Sequence, residues 1–162
     1  MSDITYPDWW DRNQFGYPNI ENLLKTLLMP LISGITVTYW LPPEQVIEQT
    51  LDAGGGFLRI YRTGGRVNYD QKRDEPNVQL AALTKSRDDS WDLIEFARTG
   101  VLGQFEKPAV VPGTLYEMQC LGEVVGPQLI PAEMRDERLV PATFMLHTWR
   151  LRSNSLRQAL GL

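Results

Sequence analysis

From residue 20 onward the apolar positions fall at Ile20, Leu23, Leu24, Leu27, Leu28 and Leu31. This i, i+3, i+4, i+7 spacing lines one face of a helix, so an amphipathic helix is predicted here. Asn19 stands where a side chain can accept from the first unpaired amides. Pro30 has no N–H to give and should end or kink the helix. Ser33-Gly34 turns the chain, and the period then falls from 3.6 to 2. Ile35 to Trp40 mixes β-branched and aromatic residues and predicts a strand. Pro42-Pro43 stops that strand and introduces a short helix, Glu44 to Leu51.

Gly54-Gly55-Gly56 breaks the chain again. Phe57 to Arg62 is expected to be a strand, and Thr63-Gly64-Gly65-Arg66 a tight turn whose glycines can take positive φ. Gln71 to Glu75 is polar, and Asn77 to Thr84 is expected to be the next strand. A second helix starts near Ser86, whose hydroxyl can accept from the amide three residues on, while Asp88 and Asp89 suit the positive helix end. Its predicted buried face is Trp91, Ile94, Ala97 and Val101, broadened by Leu93 and Phe96, and it should run to about Leu102. Pro108, Pro112 and Gly113 mark a loop. Thr114 to Leu121 and Leu139 to Leu151 are the last two predicted strands. Gly122, Gly126, Pro127 and Pro131 make a long connection between them. Asn154 to Leu162 is weakly helical or loose.

These elements predict an α+β fold: a single mixed or antiparallel sheet of about five strands, with two main helices packed on one face. The body spans residues 19–152, an N-terminal arm residues 1–18, and a C-terminal tail residues 153–162. The arm has no period. It holds the breakers Pro7, Gly16 and Pro18 and the aromatics Tyr6, Trp9, Trp10, Phe15 and Tyr17. So many aromatic rings on an irregular arm should not sit in water. The arm packs either on its own domain or on another subunit.

A chain of 162 residues that is 43% hydrophobic and 22% charged suits one folded domain rather than a disordered segment. The net charge of -4 gives no support to non-specific nucleic-acid binding. The charge is unevenly spread. Residues 57–73 carry Arg59, Arg62, Arg66, Lys72 and Arg73 against Asp70, and beyond Glu137 only basic charges remain, while Asp3, Asp8, Asp11 and Glu21 face Arg12 near the start. Such segregation suits head-to-tail contact between copies, with opposite patches meeting. A solvated surface with random patches is the alternative. Cys120 is the one cysteine, which fits folding in a reducing compartment. The first residues do not have the pattern of a signal peptide. The longest apolar stretch, Leu23 to Ile35, is interrupted by Lys25, Thr26, Pro30 and Ser33 and is too short to span a membrane.

Candidate chemistry is thin. His147 is the only histidine. It lies in an alternating run where Phe144, Leu146 and Thr148 share one face and Met145, His147 and Trp149 the other. A packing or hydrogen-bonding role fits it better than catalysis. One histidine and one cysteine do not make a usual zinc set. A Cys120–His147 nucleophile pair would sit on adjacent strands, without any flanking motif for it. Gly54-Gly55-Gly56 precedes a strand rather than a helix and lacks the lysine of a phosphate loop. Asp88-Asp89 belongs to a helix start, and Asp74-Glu75 to a polar connection. No catalytic residue, cofactor or metal is expected.

The core of the chain resembles the tail terminator family of long-tailed, siphovirus-type bacteriophages. A hydrophobic strand ends in an arginine and a double glycine, FLRIYRTGG at 57–65, followed by the connection NYDQKRDEP. Next come the strand NVQLAALTKS, the helix SRDDSWDLIEFARTGVL and the late strand RLVPATFMLHTWRLR. The leucine-rich first helix also suits the family, and the resemblance covers residues 19–152. The arm and the stretch Glu44 to Gly56 depart from a minimal member.

The resemblance implies a small α+β virion protein that forms a ring of about six copies on the last ring of the tail tube. Such a ring stops tube growth, docks the head–tail connector and lets DNA pass through its lumen. The partners implied are other copies of the chain, the tail tube protein and the neck protein, with no membrane. The location implied is the head-proximal end of the tail, after assembly in the host cytoplasm. The interface residues expected are Trp9, Trp10, Phe15 and Tyr17 of the arm, with Arg59, Arg62, Gly64, Gly65, Arg66, Arg73 and Asp74 of the core. A neck or head-completion protein is the nearest alternative, and a small enzyme or ligand-binding domain the more distant one.

Overall fold

The Asn19 side chain accepts from the amides of Glu21 and Asn22 and so opens helix α1, Ile20–Leu28. The cap satisfies two of the donors that every helix start leaves unpaired. Pro30 acts as expected: the α-helix gives way to a tighter 3₁₀ turn, Met29–Leu31. Leu31 therefore leaves the apolar stripe and is exposed, a correction to the helical pattern. The computed structural model from which these elements are taken describes residues 3–12, 16–127 and 137–150.

Strand β1, Ile35–Thr38, is followed by helix α2, Glu44–Asp52, and by strand β2, Gly56–Asn68. β1 pairs parallel with β2, from Ile35 opposite Gly56 to Thr38 opposite Arg59. A parallel pair needs a crossover of a dozen residues or more, and residues 39–55 with α2 supply it. Strand β3, Arg73–Leu83, returns antiparallel to β2. Helix α3, Arg87–Glu95, follows, and passes into a π-helical stretch, Phe96–Val101, and a 3₁₀ turn, Leu102–Phe105. The short β4, Ala109–Val110, and the long β5, Tyr116–Val125, and β6, Leu139–Arg150, complete the described strands. The predicted end of the last strand at Leu151, and the C-terminal tail, lie outside the described residues.

Among the described residues the sheet has six strands in the order β1-β2-β3-β6-β5-β4. The expected α+β class and single mixed sheet are present, with one short strand and one helix more than the main elements predicted. α1, α3 and the π-helical stretch cover one face. Ile20, Leu24 and Leu28 of α1 and Ile94 and Ala97 meet Leu58, Leu80, Ala142 and Phe144 in the main core. α2 lies on the opposite face, where Leu51 packs with Phe57 and Leu83 in a smaller cluster. An ion pair, Arg138–Glu48 at 2.6 Å, ties α2 to the start of β6.

Two local expectations are corrected. The Gly64-Gly65 pair is no reverse turn. It lies inside β2, just after a β-bulge between Arg62 and Gly64, and the hairpin turns instead at residues 69–72. The reason is close approach: a Cβ on Gly65, whose φ is +103°, would lie 2.2 Å from the Glu75 carbonyl oxygen. The glycine lets the two strands continue past the bulge. Trp91 is also not on the buried face of α3. It is exposed, as is Phe96, which was expected to broaden that face, and Ser90 is buried in its place. The Ser90 hydroxyl accepts from the Thr84 amide at 2.9 Å and donates to the Ser86 carbonyl at 3.1 Å, which fixes the rotation of the helix.

Candidate assembly surface

β2 and β3 place the predicted arginines, but not together. Alternation along β2 puts Arg62 on the helix-covered face with Leu58 and Ile60, and Arg59 on the other face with Tyr61. The bulge then resets the phase. Val67 comes to lie opposite the buried Asp74, and Arg66 opposite Glu75 on the other face. Arg59, Arg62 and Arg66, all expected at the interface, are therefore divided between two faces.

On the helix-covered face Arg62 grips Asp74 with two nitrogens, Nη1 to Oδ2 at 2.6 Å and Nη2 to Oδ1 at 2.9 Å. Arg62 Nε donates to the Gly64 carbonyl, and the Arg62 amide donates to Glu21 at the start of α1. Asp74 is only 2% exposed. Arg62 and Asp74 thus hold the chain together, and their charges are matched within it. Thr148, opposite Asp74 on β6, is buried with its hydroxyl oxygen lacking a hydrogen-bond partner.

Among the described residues α2 covers the other face near Phe57 and Leu83, and farther along it Trp40, Tyr61 and Met145 are exposed while His147 is buried. Arg59 donates to the Gln79 side chain at 2.7 Å, and its guanidinium lies 5.9 Å from the Tyr61 ring centre. Burial lowers the Arg59 pKa from its ordinary value. Trp40, just past β1, meets Tyr61 edge to face at 6.0 Å and is 74% exposed. Toward the hairpin, Glu75 accepts from Arg73 at 2.9 Å and Asn68 at 3.1 Å, with Arg66 Nε at 3.6 Å. Those hydrogen bonds, Arg73 first, lower the Glu75 pKa. His147 lies 3.9 Å from Glu75, and burial, then the Arg73 charge, pushes its pKa down. Trp40 and Tyr61 were not singled out from sequence. The signal was a tryptophan at a strand end, one residue short of the Leu41-Pro42-Pro43 stop.

The arm divides in two. Gly16 and Pro18 are buried and Tyr17 half-buried, so this part packs on its own domain. Phe15 lies outside the described residues. Ahead of it, Trp10 N donates to the Pro7 carbonyl at 2.9 Å and closes a turn. Trp10 is half-buried, while Trp9 at the corner of that turn is 74% exposed, and Tyr6 is exposed as well. An open cleft of about 680 Å³ between arm and hairpin is lined by Trp10, Tyr17, Glu21, Arg62, Tyr69 and Asp74. Its ionic pair is already mutually satisfied.

Cys120 and His147 do not meet as a catalytic pair would. Cys120 pairs with Leu146 on the helix-covered side, and His147 is paired with Gln119 and faces the opposite side. Burial raises the Cys120 pKa, which works against a thiolate. Among the described residues no three histidine, cysteine or carboxylate groups are placed to hold a metal ion, and no helix is long and apolar enough to cross a membrane.

No curated protein matches the chain. The sequence model of one family, described as phage tail termination protein, matches residues 16–155. This covers the whole body, including the β2–β3 hairpin, and the cis-packed end of the arm. The protein is a structural component of the phage virion tail that works against other tail components, and the chain belongs to the phage tail termination protein family.

Proposed function

We propose that this chain caps the head-proximal end of the tail tube as a closed homo-oligomeric ring, stops tube polymerisation and offers the docking surface for the head–tail connector. The family match over residues 16–155 carries this reading. Ring closure follows if each copy presents one surface to a different surface of the next, and about six copies is the expected number. Two features of the fold support it. The outer edge of β5 is paired with β4 only at Glu117 and Met118 among the described residues, and β1 forms the other edge of the sheet. Sheet edges of this kind are an aggregation hazard unless something covers them. The tail is of the long, siphovirus type, the tube and neck proteins are the axial partners, and DNA passes through the lumen. Assembly takes place in the host cytoplasm.

The test is binding of the purified chain to tails made without it, counted by native mass spectrometry or electron microscopy. A ring at one end of each tail is expected, and normal tail lengths where the chain is present while the tube grows. Binding to DNA-filled heads but not to tails would instead make this a neck protein. Loss of function in His147→Ala or Cys120→Ser with fold and assembly intact would overturn the structural reading.

A further inference from the structure

The arm and the open half of the sheet have matching chemistry on surfaces that the chain does not bring together. The rear of the arm packs in cis through the buried Gly16 and Pro18, and its front is held in a turn by the Trp10–Pro7 hydrogen bond. What it presents is apolar and acidic: Tyr6 and Trp9 are exposed, with Asp3 and Asp8 exposed beside them. The open face of the sheet presents the complement. Trp40, Tyr61 and Met145 are exposed there, flanked by Arg59, Arg66 and Arg73 against Glu75. A turn-mounted tryptophan loses little entropy on docking, and an aromatic anchor set in a rim of opposite charge is the usual composition of a binding hot spot.

We propose that residues 3–10 of one copy dock on the open sheet face of a second copy, with Trp9 and Tyr6 against Trp40 and Tyr61 and the aspartates toward Arg59 and Arg66. This rests on the ring reading above and names the contact within it. The second copy is the favoured occupant because both halves of the match, acidic-aromatic and basic-aromatic, belong to this one sequence. The contact is heterologous, arm to face, which is the type that propagates around a ring.

Two double variants of the full chain test it: Tyr6→Ala/Trp9→Ala, without the donor, and Trp40→Ala/Tyr61→Ala, without the acceptor. Circular dichroism and thermal melts check that each folds. Sedimentation velocity on the free chain, and subunit counting on tails that lack this protein, read self-association. Each variant alone should need about tenfold or more higher concentration to assemble. An equimolar mixture should then form a 1:1 dimer and stop, because one intact arm and one intact face remain between the two variants. A mixture that behaves like its separate components overturns the proposal. So does an arm variant that assembles like the parent, including one that keeps its ring but loses tails, which would assign the arm to the tube. A parent chain that stays monomeric both free and on tails overturns it as well. If the parent self-associates through the arm yet ignores tails, this contact stands and the tail-capping reading fails.

Discussion

Arg62 and Asp74 meet fork to fork across the β2–β3 hairpin, at 2.6 and 2.9 Å, with the carboxylate buried and the guanidinium partly open to solvent. The pair sits under the arm and next to the start of α1, where the Arg62 amide donates to Glu21 at 3.1 Å. A buried carboxylate that loses its cation costs far more than the pair is worth in net terms.

Arg62→Met should therefore destabilise the fold by about 3 kcal/mol, measured by urea unfolding. Arg62→Met/Asp74→Leu should recover most of that loss, because neither charge then remains buried. A double variant no more stable than Arg62→Met would show that the fork is needed for its hydrogen bonds to the hairpin and not for charge balance.

The two adjacent glycines of β2 should behave very differently. Gly65→Ala puts a Cβ 2.2 Å from the Glu75 carbonyl oxygen and 2.6 Å from Pro76 Cα, both backbone atoms that cannot step aside. A loss of at least about 2 kcal/mol is expected. Gly64→Ala meets nothing within 4 Å and should change stability by no more than about 0.5 kcal/mol. Equal effects at the two positions would mean that the bulge is not where the register places it.

Ser90→Ala removes the acceptor for the buried Thr84 amide, which has the Ser90 hydroxyl at 2.9 Å. It should cost about 1–3 kcal/mol. Trp91→Ala, the larger truncation, should cost less, since the indole is exposed. Thermal unfolding of the two variants orders them directly.

His147 makes stability depend on pH. Its folded pKa is lowered, first by burial and then by Arg73, with Glu75 opposing. The unfolded chain thus binds the proton more readily, so this contribution is fully present above the ordinary histidine value of about 6.5 and is lost as pH falls toward and through the folded pKa. His147→Gln should flatten the urea midpoint against pH in that window. The lowered pKa of Glu75 acts in the same sense, but below the ordinary carboxylate range. A slope that survives His147→Gln would assign it to other groups.

Local signals in the sequence were reliable where the physics is local. Asn19 and Ser86 cap their helices as their positions suggest, and Pro30 ends α1. The alternation in β6 also sorts correctly, with Phe144, Leu146 and Thr148 buried. What failed depended on distant partners. Gly64-Gly65 looks the same in a turn or a bulge, and only the pairing of residues 64–68 with 73–77 decides between them. The direction of Trp91 was set by the hydrogen bond from Thr84 to Ser90, invisible to a count of apolar positions. The division of Arg59, Arg62 and Arg66 follows from the same bulge. Of the candidate surface, the aromatic arm could be picked out by its rings, but Trp40 and Tyr61 become a patch only when β1 and β2 lie side by side.

The position of β6 sets the timing of folding. It is the last described strand, yet it is paired with β3 on one side and β5 on the other, in the interior of the sheet. Until β6 is made and has cleared the ribosome, β3 and β5 each show water an unpaired strand edge. The nascent chain therefore cannot mature piece by piece from its N-terminus. The sheet has to wait for its last described strand, and a ribosome that stalls before residue 139 leaves behind a half-sheet with open edges.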